Sequence, residues 1–148
     1  MTSGVATALR SFRGGCHCGA LGLSFETSLA VPEWSVRACQ CDFCRAHGAR
    51  TTSDPAGRLV FYVWQGDALQ RYRFGLRTAD FLLCSRCGVY IGAQIALAPG
   101  AFGIVNTLAM LSLAEELPAA TAVDYGAETL NQRATRRAQR WTPLEKVV

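Results

Sequence analysis

The chain has 148 residues, half of them hydrophobic, which is enough for one domain with its own core and too few for two, so residues 1–148 are expected to form a single unit. Fifteen Lys and Arg against eleven Asp and Glu give a formal charge of +4, an excess too small to mark a nucleic-acid binder. The most apolar stretch, 89–117, is interrupted by Gln94, Pro99, Gly100, Gly103 and Asn106, well short of the ~20 apolar residues a bilayer span needs.

At the N-terminus, MTSGVATALRSFRGG holds no apolar run of signal length before Arg10 and Arg13, and the expectation is a cytoplasmic protein. Short β-prone runs follow at 19–25, 34–38, 59–64, 69–74, 81–83, 89–96 and 102–106. Pro32, the TTSDPAG segment at 51–57, Gly66 with Asp67, Gly75, and Pro99 with Gly100 supply the turns between them. This spacing predicts a mainly β fold of antiparallel sheets, without alternating β and α units. One helix is predicted over 126–141, where Leu130, Ala134, Ala138 and Trp141 fall within about 80° of one another at roughly 100° per residue. On this reading Leu130 and Trp141 dock the helix. Arg133, Arg136, Arg137 and Arg140 then form a solvated face, with anion binding as the competing use.

All seven cysteines lie in three tight clusters: Cys16 and Cys18 (CxC), Cys39, Cys41 and Cys44 (CxCxxC), and Cys84 and Cys87 (CxxC). An odd number leaves one thiol over in any disulfide scheme, and CxC pairs suit disulfide geometry poorly. Sulfurs two or three residues apart on a strand and tight turn converge instead on one ion, for which tetrahedral zinc is the usual occupant. Seven thiolates on two Zn²⁺ ions bring the formal charge to about +1. Seven sulfurs divide as four plus three. A four-cysteine site is closed and structural, whereas a three-cysteine site leaves a coordination position for water or substrate. Spacing alone does not assign the clusters, although pooling the two pairs, Cys16, Cys18, Cys84 and Cys87, is the simplest way to four. Cys39, Cys41 and Cys44 then hold a second ion, unless His17 or His47 closes that site or the three remain free buried thiols.

GGCHCGA at 14–20, ACQCDFCRAHGA at 38–49 and FLLCSRCGVY at 81–90, with GDALQRYRFG at 66–75 and FGIVNTLAM at 102–110, resemble the glutathione-dependent formaldehyde-activating enzyme family over about 11–113. The resemblance implies a β-tent fold of antiparallel coiled sheets around two zinc sites, here followed by the C-terminal helix. It implies a structural zinc on Cys16, Cys18, Cys84 and Cys87 and a catalytic zinc on Cys39, Cys41 and Cys44. The implied activity is that of a carbon-sulfur lyase, S-(hydroxymethyl)glutathione synthase, which condenses glutathione with formaldehyde. Such a reaction needs a thiolate at neutral pH and an oriented aldehyde, and zinc supplies both. The chain departs from the family at Gln40 and Asp42, where His and Ser are common, and at Asn106, Thr107, Leu108 and Ala109, where GTLD is usual.

Glutathione carries two carboxylates, and Arg45 and Arg50, flanking the middle cluster, are the candidate guanidinium clamps. Trp34 and Phe43 read equally as core or as pocket lining. The expected partners are a small-molecule thiol and an aldehyde, with no membrane and no nucleic acid. The alternative is a non-catalytic, zinc-stabilised protein-binding module.

Overall fold

The computed structural model describes residues 8–98 and 100–148. Expectations placed on the first seven residues and on Pro99 lie outside the described residues. Strand β1 (Arg10–Gly15) pairs antiparallel with β2 (Leu21–Thr27), Arg10 opposite Thr27 and Gly15 opposite Gly22. In β2 the large Leu21, Leu23 and Phe25 alternate with Gly22 and Ser24, so one face feeds the core. There they pack in one cluster with Leu59, Phe61 and Met110. Trp34 belongs to the same core, with the Phe12 and Phe25 rings edge-to-face at 5.0 and 5.2 Å.

The remaining strands are β3 (Val36–Cys39), β4 (Thr51–Thr52), β5 (Arg58–Val63), β6 (Leu69–Tyr72), β7 (Asp80–Cys84), β8 (Tyr90–Leu97), β9 (Gly100–Asn106), β10 (Thr121–Val123) and β11 (Thr142–Leu144). All eleven join one open sheet in the order β1-β2-β5-β11-β9-β4-β3-β10, with β8, β7 and β6 branching from β9. The fold is mainly β, as expected. Two helices accompany the sheet, a short α1 (Asp42–His47) and the C-terminal α2 (Leu130–Arg140).

Three expectations need correction. The sheet is mixed: β10 runs parallel to β3 and β11 parallel to β5, while the other pairings are antiparallel. Both parallel strands belong to the C-terminal segment, which arrives by long connections and escapes the hairpin geometry that makes neighbours antiparallel. The 51–57 segment is not wholly a turn, because Thr51 and Thr52 form β4 and bridge β3 to β9.

The third correction concerns the helix. It starts at Leu130, where a capping box fixes it: Gln132 N donates to Thr129 Oγ1 at 3.1 Å and Thr129 N donates to Gln132 Oε1 at 2.9 Å. Trp141 is buried as expected, but Leu130 is 55% exposed and Ala138 lies on the surface, while Arg137 is only 7% exposed. The arginine face, not the alanine stripe, turns inward. Partners from outside the helix explain this: Glu128, Thr78 and the rings of Tyr125 and Trp141 receive the guanidiniums. The apolar arginine stems then do the packing that alanine is too short to do.

The end of α2 is fixed by β11. Thr142 is fully buried, and its Oγ1 accepts a 2.8 Å hydrogen bond from the backbone N–H of buried Asp54. Thr142→Val removes that acceptor and leaves a donor unsatisfied, at a cost of about 1–3 kcal/mol. Urea unfolding is expected to show a lowered midpoint of that size; an unchanged midpoint would contradict this role.

Candidate metal centre

Cys16 and Cys18 occupy the turn between β1 and β2, while Cys84 ends β7 and Cys87 lies in the turn from β7 to β8. Each pair is followed by a glycine with positive φ, Gly19 at +82° and Gly88 at +79°, a conformation that favours glycine. These glycines curl each turn back on itself, Gly19 N donating to Cys16 O at 3.2 Å and Gly88 N to Cys84 O at 2.8 Å. Leu21 N donates to Cys16 Sγ at 3.2 Å. The four sulfurs lie within 4.8 Å of one another, with Cys16–Cys18 at 3.8 Å and Cys18–Cys84 at 3.5 Å. A tetrahedral ion with Zn–S near ~2.3 Å has S···S edges of about 3.8 Å, so the donor set fits a closed four-thiolate site.

The second cluster is assembled at the end of β3. Cys39 ends that strand, Cys41 is the N-cap of α1, its sulfur accepting from Cys44 N at 3.4 Å, and Cys44 lies in the first turn. The three sulfurs also lie within 4.8 Å of one another, and no other His, Cys, Asp or Glu among the described residues joins them. His47 turns away, its ring 4.4 Å from that of Phe43 and 5.7 Å from that of Tyr90. His17 joins neither group. The site thus has three protein ligands, compatible with an ion that keeps an open position.

Its thiols are unequal. A hydrogen bond with Cys44 holds Cys39 down to about 5 against the effect of burial, while the same bond and burial push Cys44 well up. Burial also raises Cys41 and drives the Tyr90 phenol far above its usual range. Without an ion, Cys39 is thus the thiolate of the three, hydrogen-bonded by the other two thiols.

A cavity of about 170 Å³ is shared by Cys39, Cys41 and Cys44 with Phe74, Phe81 and four arginines, Arg37, Arg133, Arg136 and Arg137. Glu128 binds Arg136 at 2.7 and 2.9 Å and Arg133 at 3.4 Å, and the Arg136 guanidinium lies 3.5 Å from the Tyr125 ring centre. Arg137 donates through Nη1 to Thr78 Oγ1 at 2.7 Å and lies 4.8 Å from the Trp141 ring centre. Burial and the neighbouring Arg136 and Arg133 pull its guanidinium down to about 10. Arg37 donates to Ser53 Oγ at 2.6 Å.

Arg45 and Arg50 do not line this cavity and are exposed. Arg50 borders a separate groove with Leu108 and Leu111. Phe43 sits in an aromatic cluster with Tyr72, Phe74, Phe81 and Tyr90. Asn106 is a brace: its Oδ1 accepts from Arg50 N and Leu108 N, and its Nδ2 donates to Tyr90 O. Three of the four cavity arginines, Arg133, Arg136 and Arg137, were visible as an i, i+3, i+4 set on α2; Arg37, on β3, was missed. What the sequence did not reveal was the face they use.

No family model matches the chain. Among solved structures it is similar to a Rhodobacter sphaeroides protein known from its crystal structure, with a TM-score of 0.57 and 29% identity over 76% of this chain and 100% of the other. No described helix is long and apolar enough to cross a membrane.

Glu128 gives the cavity a pH dependence. The hydrogen bond from Arg136 lowers its carboxyl below the ordinary 4.5, so its stabilising effect is complete above that value and is lost as pH falls through the lowered one. The stability difference between wild type and Glu128→Gln is expected to be constant near neutrality and to close on acidification below pH 4.5. Denaturant midpoints across that range test it; a gap that widens on acidification contradicts the assignment.

Proposed function

We propose that this protein is a zinc-dependent carbon-sulfur lyase acting on a thiol adduct, with a structural zinc on Cys16, Cys18, Cys84 and Cys87 and a reactive zinc on Cys39, Cys41 and Cys44. The carrying observation is the three-sulfur set with no fourth ligand among the described residues, opening into a cavity. The motif resemblance supports glutathione and formaldehyde as the reference pair and a β-tent as the fold type. When bound, the reactive zinc supplies a Lewis-acid position for a substrate sulfur or carbonyl oxygen.

The protein's own residues do the rest. Cys39, Cys41 and Cys44 present their sulfurs from β3 and α1, two elements anchored to the sheet and to the Phe43 aromatic cluster. Phe74 and Phe81 give the cavity an apolar boundary that limits water, and the arginines keep it electropositive. The overall reaction forms one carbon-sulfur bond and moves the thiol proton to the carbonyl oxygen, so it balances without an oxidant. Little barrier reduction is required, because thiol addition to formaldehyde is intrinsically easy, and positioning is the main contribution.

The nucleic-acid reading is not favoured, since it would use the face of α2 on which Arg133 and Arg136 are half-buried, Arg137 is buried and only Arg140 is exposed. The exposed Leu108 and Leu111 beside the second groove are what a protein-binding module would use. The enzyme reading is preferred because the cavity adjoins the three cysteines.

Purified protein is expected to hold about two zinc ions per chain, one released by a mild chelator and one retained. Cys44→Ala is expected to lose the coordination change that added glutathione produces while keeping its circular dichroism, whereas Cys84→Ala unfolds. Equal damage from both substitutions, or two equally inert ions, would overturn the division of labour.

A further inference from the structure

Arg137 is out of place for a structural residue. It is 7% exposed, it lines the cavity, and its Nε finds no acceptor among the described residues. Its two contacts, the Thr78 hydroxyl and the Trp141 ring, are neutral. Buried cations are normally paired with an anion because desolvating them is costly, and a helix that needed only docking at this position would be served by leucine or methionine. Arg37, across the same cavity lining, is likewise partly buried and has a hydroxyl, not a carboxylate, as its partner.

The charges define what is missing. Glu128 is shared by Arg133 and Arg136. Arg37 and Arg137 have hydroxyl partners and no carboxylate partner among the described residues, so the lining has positive charge to offer an anion. Volume narrows the ligand further: about 170 Å³ lies below the ~300–1,000 Å³ of pockets that enclose drug-sized ligands, so the enclosed part of the substrate is a few atoms, not a tripeptide.

We infer that the cavity receives a compact carboxylate-bearing thiol or aldehyde, its carboxylate held by Arg137, with Arg37 adding positive charge to the same lining, and its reacting group at Cys39, Cys41 and Cys44. The inference rests on the proposed reaction class and narrows its substrate. A planar guanidinium matches a carboxylate with two parallel N–H donors, and that of Arg137, held only through Nη1 by Thr78 and with no acceptor at Nε among the described residues, has no carboxylate competing for it. Arg137 is on this view a specificity residue, acting on the end of the substrate that does not react.

Calorimetric titration of the zinc-loaded protein with mercaptoacetate, 2-mercaptoethanol and acetate tests this. Mercaptoacetate is expected to bind on the order of tenfold tighter than 2-mercaptoethanol, which has the thiol without the carboxylate. Arg137→Met is expected to abolish that preference and Arg137→Lys to reduce it, because lysine keeps the charge without the fork. Equal affinity for the two thiols in the wild type overturns the inference, as does a preference that survives Arg137→Met. The wild-type comparison decides the matter even if the methionine variant does not fold. If neither thiol binds, the reaction class fails, and acetate decides the anion site by itself: binding that Arg137→Met removes sustains the site, and no binding ends it.

Discussion

Two hairpin turns, one at each end of a long stretch of chain, are brought together at four sulfurs. Cys18 and Cys84 are separated by 66 positions, yet their sulfurs lie 3.5 Å apart. That junction decides which edges of the sheet can meet, because the turn after β1 and the turn after β7 cannot be moved independently once their thiols converge. Closing so long a loop is entropically unfavourable in an unliganded chain, and a shared ion changes the balance by adding binding free energy to folding free energy. Leu21 and Leu82, buried near the two turns, make the same junction continuous with the apolar core. The three-sulfur cluster lies elsewhere and is tied to this frame through β3, which joins β9 through the two-residue β4, and through Cys44 and Phe43, which pack with Tyr90 and Phe81.

The cysteine clusters were legible in the sequence because ligand spacing is a local property, whereas the pooling of CxC with CxxC across 66 positions came from counting to four ligands and from the resemblance. The longer strands were legible for a similar reason, since Leu21, Leu23 and Phe25 or Leu59 and Phe61 alternate with a strand's period. Strands β4, β10 and β11 were not. Two or three residues such as Thr51–Thr52 hold no period, and their pairing is imposed by neighbours far along the chain. The parallel direction of β10 and β11 is likewise a consequence of tertiary docking.

At the site, proximity in sequence proved a poor guide to proximity in space. Arg45 follows Cys44 directly, but successive residues of a helix differ by roughly 100°, so a cysteine turned inward carries its neighbour outward. Three of the four cavity arginines instead come from residues 133–137, whose inward orientation depends on Glu128, Tyr125 and Thr78. A helical wheel contains none of these partners, and it therefore assigns the arginines to solvent. The Asn106 position illustrates the same point from the other side. A residue that departs from the related motif carries a backbone-bracing task, holding Arg50, Leu108 and Tyr90 in register beside the aromatic cluster.

The placement of β10, α2 and β11 at the end of the chain has a consequence for how the molecule is made. Synthesis proceeds from the N-terminus, so the residues of both sulfur clusters have emerged before Arg133, Arg136, Arg137 and Trp141, which line the cavity at the second one. Until α2 docks, with β10 on β3 and β11 between β5 and β9, that part of the lining is missing. A nascent or C-terminally clipped chain is thus a different chemical object from the finished protein: it holds both cysteine groups but lacks the helix that closes one side of the cavity beside the second.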